Sequence, residues 1–255
     1  MRTQIFTIVV IFYVVLVGCD PCNDANPIAT NNKAPVFFLL FEVNESQKVD
    51  VEFSTNSMSV IPAVTVNEDT LKTSIDFHDG IIRGKLNNLK FNKTYKYAIA
   101  VNDQKTSGEI TMPTSPKNVK CNDTLLVEKQ LNFLYKADSV RFDWSCDSFD
   151  HFCCNLECNS IIETTTEDTS IAFATDGSNH YKLNIVSVIG PCLNPGTCPN
   201  VTGECGDGFA MGISEEVEYN IWFNSATSSR VSDIPNLRLK EKIRLKFLEY
   251  LRCEN

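Results

Sequence analysis

Apolar and polar residues alternate along most of this chain with a period of two. The pattern is clearest where Tyr95, Tyr97, Ile99 and Val101 interleave with Lys96, Ala98, Ala100 and Asn102, the mark of a half-buried strand. From Ala34 to Met112 further strands are expected over Val36 to Val43, Val49 to Phe53, Met58 to Val66, Thr73 to Phe77, Ile81 to Leu86 and Gly108 to Met112. Turn formers such as Asn67-Glu68-Asp69 and His78-Asp79-Gly80 separate them. A second run extends from Asn118 to Phe223. Val140, Phe142 and Trp144 alternate; so do Phe152, Cys154, Leu156 and Cys158; then come Ser170 to Thr175, Tyr181 to Ser187, and Val217 to Phe223. Short strands at this spacing predict all-β sandwich architecture. Gly190 to Gly212 reads as a long loop, which Cys192, Cys198 and Cys205 keep ordered.

Leu89 and Tyr95 bracket a polar corner and resemble the tyrosine corner of Ig-like and fibronectin type III sandwiches. Trp144 likewise resembles the tryptophan of a fibronectin type III B strand. Pro113 and Pro116 fix φ and remove donors, which predicts a domain boundary and hinge between them. The resulting plan is all-β: two tandem fibronectin type III/Ig-like sandwiches over 34–113 and 117–224, the second rich in cysteine, then an amphipathic helix within 232–252.

The helix is the only segment with a sustained 3.6 period. Leu239, Ile243, Phe247 and Leu251 repeat at i, i+4, with Lys240, Lys242, Arg244 and Lys246 between them. Such a helix lies on its own domain, pairs with a second copy of the chain through those four apolar residues, or rests on a membrane surface.

Composition narrows the partners. With 255 residues the chain has room for two domains, and its net charge of −9 argues against nucleic acid and anionic membranes while mildly favouring a basic partner. Residues 1–18 have the layout of a secretory signal peptide, Met1-Arg2 followed by an apolar run ending at Gly18, too short for a membrane span. The expected location is therefore secreted, without a transmembrane anchor. Leu16-Val17-Gly18-Cys19 also resembles a bacterial lipobox, which would leave Cys19 lipidated. In an exported chain the remaining cysteines read as disulfides: Cys22, Cys121, Cys146, Cys153, Cys154, Cys158, Cys192, Cys198, Cys205 and Cys253, with pairing left open. Glycosylation sequons begin at Asn44, Asn92, Asn122 and Asn200.

No residues read as catalytic, and no cofactor is expected. There are three histidines, no serine in a glycine elbow and no glycine-rich phosphate loop. His151 lies among Cys146, Cys153, Cys154 and Cys158, which suggests zinc. Adjacent cysteines on one strand point to opposite faces, however, so they do not share a metal. The topology of two sandwiches instead gathers loops at the elbow. The expected ligand-binding residues there are Asn67, Glu68, Asp69, Asn87, Asn88, Lys90, Phe149, Asp150, His151 and Phe209.

Two tandem modules resemble a class II cytokine receptor ectodomain. Ser170 to Thr175 (SIAFAT) and Val231 to Lys240 (VSDIPNLRLK) running into a basic helix resemble the secreted interferon-gamma-binding proteins of poxviruses. That resemblance implies a soluble decoy that captures a host cytokine, interferon-gamma first, with a helical tail joining subunits. The competing expectation is a cell-surface lipoprotein or adhesion module binding carbohydrate or another host protein.

Overall fold

Tyr95 ties the first half of the molecule together. Its hydroxyl donates to the Lys90 carbonyl at 2.7 Å and accepts from the Asn92 N–H at 2.9 Å, while its ring packs 5.5 Å from that of Phe41. The expected tyrosine corner is thus formed, and burial raises the phenol's pKa. Tyr95→Phe is expected to lower stability by about 1 kcal/mol, read as a shift in the urea midpoint. An unmoved midpoint would mean that the hydroxyl does not hold the corner.

The computed structural model describes residues 36–56, 60–75, 81–135, 139–158, 160–174, 178–191, 199–224 and 238–253. The expected signal peptide, Cys19, Cys22, Cys192 and Cys198 lie outside these residues. The first half contains β1 (Val36–Val43), β2 (Lys48–Thr55), β3 (Ala63–Val66), β4 (Asp69–Ile75), β5 (Ile82–Lys90), β6 (Thr94–Val101) and β7 (Gln104–Thr111). β1, β2 and β5 pair antiparallel, as do β4, β3, β6 and β7. The two layers close on one core, in which Phe37, Leu39, Phe41, Val51 and Phe53 meet Val64, Val66, Tyr97 and Ile99.

The second half contains β8 (Lys117–Cys121), β9 (Thr124–Leu125), β10 (Leu131–Tyr135), β11 (Ser139–Ser145), β12 (His151–Glu157), β13 (Ile161–Thr166), β14 (Ser170–Ala174), β15 (His180–Ile189), β16 (Asp207–Ile213) and β17 (Val217–Asn224). One layer runs β14-β11-β8-β9. The other carries β13, β12, β15, β17 and β10, the last parallel to β17. Phe142, Trp144, Phe152, Leu156, Tyr181 and Phe223 fill the space between. The chain is thus two all-β sandwiches of fibronectin type III/Ig-like plan, followed by α1 (Leu239–Cys253).

The expected Gly190 to Gly212 loop is corrected by β16. This strand lies parallel to β1, Val36 opposite Asp207 through Glu42 opposite Ile213, and makes the sheet continuous across both halves. Phe209 and Met211 are buried on one side of it and Ala210 on the other, the two-faced burial normal for parallel pairing. Gly208 is required at this seam because a Cβ there would lie 2.4 Å from the Phe37 carbonyl oxygen.

The hinge expected at Pro113–Pro116 is stapled. Thr114 N–H donates to the Ser148 carbonyl at 3.1 Å, and Thr114 Oγ1 accepts from the N–H groups of Asp147 and Ser148. The Cys146 thiol reaches the Thr114 carbonyl at 3.1 Å.

Helix α1 lies across the seam. Leu239 and Ile243, expected among the residues facing a second copy, are buried against Phe38, Leu40, Val186, Val188, Phe209 and Met211. That corrects the oligomerisation reading for both; the side chains of Phe247 and Leu251 fall outside the description. The cationic face is also engaged. Arg238 meets Glu45, Lys242 meets Glu163 on β13, and Lys240 meets Glu42 and the Val43 carbonyl. Arg244 pairs with Glu42, and its Nε lies 3.0 Å from Glu52 without hydrogen-bond alignment. The helix therefore clamps both halves with the charges that suggested a membrane surface.

Cys121, Cys146, Cys154 and Cys205, expected in disulfides, have no disulfide partner among the described residues. Cys121 and Cys154 face the second core, and Cys205 donates to the Ile99 carbonyl at 3.3 Å. Cys153 and Cys154 join different cores, as alternation requires. Burial pushes the Cys121 thiol up to about 12 and raises Cys154 as well. Both are expected to resist iodoacetamide near pH 8 until urea is added, because the thiolate is the reactive form. Mass-spectrometric labelling of either in the native protein would contradict that.

Candidate binding surface

The ten expected elbow residues divide by their local geometry. Asn67 and Glu68 form the β3–β4 turn with φ of 46° and 78°, and Asn67 Oδ1 accepts from the Lys96 N–H at 2.9 Å. Asp69 follows, exposed like its neighbours. Asn87 and Asn88 lie where the β2–β5 register shifts, and the Asn88 N–H donates to Asp50 at 2.8 Å. Lys90 is exposed and supplies the carbonyl of the tyrosine corner. Asp150 accepts from the Gly190 N–H at 2.7 Å, which fixes the turn beside the linker.

Six of the ten lie on strands where loops were expected: Asp69 on β4, Asn87, Asn88 and Lys90 on β5, His151 on β12 and Phe209 on β16. Phe209 is fully buried and His151 is 6% exposed; β16 and β12 carry them into packed sheet. Phe149 is half-buried, its ring 4.3 Å from that of Phe152. Phe209 is buried because Asp207–Ile213 is a strand where a loop was expected, and His151 because β12 begins with it.

Burial lowers the pKa of His151 against the opposing pull of Asp150 and Glu167. Its folded pKa lies below the unfolded value, so the unfolded state takes up the proton first as pH falls. Stability is unaffected above about pH 6.5 and falls below it, by at most about 1.4 kcal/mol per pH unit for one group. The drop in urea midpoint between pH 7.5 and 5.5 is expected to shrink in His151→Asn. An equal drop in that variant would assign the acid sensitivity elsewhere.

A cleft of about 690 Å³ lies at the junction, on surface the loop reading did not include. The β1–β2 turn (Asn44, Glu45, Ser46), the β16–β17 turn (Glu215, Glu216) and the start of α1 (Arg238, Lys240, Glu241) line it, with Glu157, Lys182, Asn184 and Glu218. Gln47 bonds Glu215 across the two halves. Burial raises the pKa of the Glu216 carboxyl against the opposing pull of the Leu239 backbone N–H. Of the cations, Arg238 and Lys240 are engaged by Glu45 and Glu42, and Lys182 by Glu218 at 3.0 Å. With Lys129 and Arg244 counted, seven carboxylates line the cleft against five cations, so it leans acidic.

The sequon asparagines Asn44, Asn122 and Asn200 are engaged in the fold. Asn44 accepts from Ser46 and Lys48, Asn122 from Arg141, and Asn200 brackets Ala210 with two 2.9 Å bonds. Asn92 is exposed at the tyrosine corner. Among the described residues no helix is long and apolar enough to cross a membrane.

No family model matches the chain, and no curated protein matches it. Solved structures similar to it include titin domains A168-A170 (10% identity, 71% of this chain and 60% of that one, TM-score 0.22). The adhesin InvE of Yersinia pseudotuberculosis gives 13% identity over 75% and 59%, TM-score 0.23. The tandem Ig repeats of Dlar give 8% identity over 76% and 99%, TM-score 0.24. Likeness at these TM-scores carries no argument about this chain, and its fold stands on its own strand pairing.

Proposed function

We propose that this chain is a secreted protein-binding module that captures a basic-surfaced host cytokine, interferon-gamma first, and keeps it from its receptor. The observation that carries this reading is the junction: two sandwiches fused through β1 and β16, and clamped by α1, hold the acidic cleft and its flanking turns in one fixed arrangement. A surface ordered before contact loses less conformational entropy on binding. Excess carboxylate would steer a cationic partner at a rate that falls with salt. The SIAFAT and VSDIPNLRLK segments support the choice of cytokine, and the signal-like residues 1–18 support export.

The test is surface plasmon resonance with the full chain immobilised and interferon-gamma flowed over it, beside helical cytokines of neutral and acidic surface. Nanomolar binding of interferon-gamma is expected, with an association rate that drops between 50 and 500 mM salt. Glu215→Lys with Glu218→Lys should slow association at least tenfold. Absence of binding removes the cytokine reading. Binding that the double variant leaves unchanged removes the cleft.

A further inference from the structure

Large apolar side chains stand exposed between Leu125 and Tyr135. Leu125 is 57% exposed, Val127 49%, Leu131 48%, Phe133 63% and Tyr135 89%. They sit where the chain switches sheets, from β9 beside β8 to β10 beside β17. Within β10, Leu134 turns into the second core, while Leu131, Phe133 and Tyr135 face outward. Phe133 lies opposite Trp222, whose ring is 5.9 Å from that of His180.

The strand is held firmly in this exposed position. Asn132 Oδ1 accepts from the Val127 N–H at 2.7 Å, and its Nδ2 donates to the carbonyls of Val127, Gln130 and Asn220. Among the described residues β10 has one ladder partner, β17, so its outer edge carries no neighbouring strand. Proteins usually blunt such an edge with charge, proline or a bulge. Leu-Asn-Phe-Leu-Tyr has none of these. Inward of this rim the same face turns polar, with Lys182 and Glu218 paired at 3.0 Å. A partner laid over the face would desolvate that pair, whereas one joined at the rim would not.

We propose that β10 pairs antiparallel with β10 of a second copy of this chain, joining the two sheets across a twofold axis. Centred on Phe133, such pairing sets Leu131 against Tyr135 of the second copy and Phe133 against its own equivalent. Every outward cross-strand neighbour is then apolar or aromatic, the pairings that most stabilise antiparallel strands. No charge lies in β10 to be repeated across the axis, although each chain carries −9 overall. Leu131, Phe133 and Tyr135 stay on the face of the joined sheet and cover one another only in part, so the contact is smaller than a standard interface, which fits a weak dimer that dissociates in the micromolar range. A twofold contact uses the same patch on both copies and closes, so it ends at two. Cytokine capture plays no part in this proposal.

Sedimentation velocity of the full chain from about 1 to 200 µM is expected to show a monomer–dimer equilibrium with a dissociation constant on the order of 10 µM. Phe133→Lys and Tyr135→Lys should each weaken it at least tenfold with an unchanged circular dichroism spectrum. Phe91→Lys, which alters an exposed aromatic in the first half, should leave it intact. In the unsubstituted protein, amide exchange across 131–135 should slow as concentration rises. A wild-type chain monomeric at 200 µM, a dimer that survives Phe133→Lys, or exchange independent of concentration would each overturn the proposal.

Discussion

Phe209→Ala is expected to destabilise the protein by about 3–5 kcal/mol, the range for deleting a buried aromatic ring. Phe209 is fully buried and shares a core with Phe38, Val186, Met211, Ile213, Leu239 and Ile243. β1, β15, β16 and α1 all meet at this point, and neighbours fixed on four elements cannot readily collapse into the space a ring leaves. Any loss of ligand binding in this variant should follow the loss of fold. The measurement is a urea or thermal melt followed by tyrosine and tryptophan fluorescence. A loss under 1 kcal/mol would mean that the seam is not a working core, and that the elbow reading of Phe209 has to be reopened.

Glu42→Ala is expected to cost a comparable amount, about 3–5 kcal/mol, because one carboxylate serves both a buried lysine and Arg244, whose side chain is 29% exposed. The side chains of Glu42 and Lys240 are 13% and 10% exposed, and Arg244 reaches the same group. Removing the acid leaves Lys240 with the Val43 carbonyl and Arg244 with a poorly aligned Glu52. The control is Glu45→Ala. Its partner Arg238 is as exposed as Glu45 itself, so solvent screens that pair and no measurable change is expected. Equal effects from the two substitutions would refute the distinction between buried latch and surface contact. Amide exchange of α1 should rise in Glu42→Ala alone.

Much of the fold was legible because alternation is a local signal. Tyr95 to Val101 announced β6, Leu89 and Tyr95 announced their corner, and the i, i+4 apolar spacing announced a helix within 232–252, which in the structure starts seven residues later, at Leu239. β16 was hidden by its surroundings, since glycine and cysteine on either side suggested a loop. Its run Phe209-Ala210-Met211 lacks alternation for a physical reason, namely that both its faces are covered. The site was less legible. Asn67, Glu68 and Asp150 fall on ordered exposed turns as expected and Asn88 falls on β5, whereas the cleft depends on Glu215 and Glu216 meeting the β1–β2 turn. No local pattern encodes a meeting between residues so far apart in the chain. The lysines of α1 looked like a solvated face for the same reason, their acids being on distant strands.

The ladder between β1 and β16 also dictates the order in which this protein can be made. Val36 must wait for Asp207, and Glu42 for Ile213, so the opening strand of the nascent chain has only half its neighbours until most of the polypeptide has left the ribosome. Pairings of such long range are slow to form and leave strand edges open meanwhile. Dividing the gene at the prolines would thus yield an amino-terminal fragment with a bare edge along Val36–Val43, and a carboxy-terminal one whose β16 has lost its parallel partner and whose helix keeps Val186 and Val188 but loses Phe38 and Leu40.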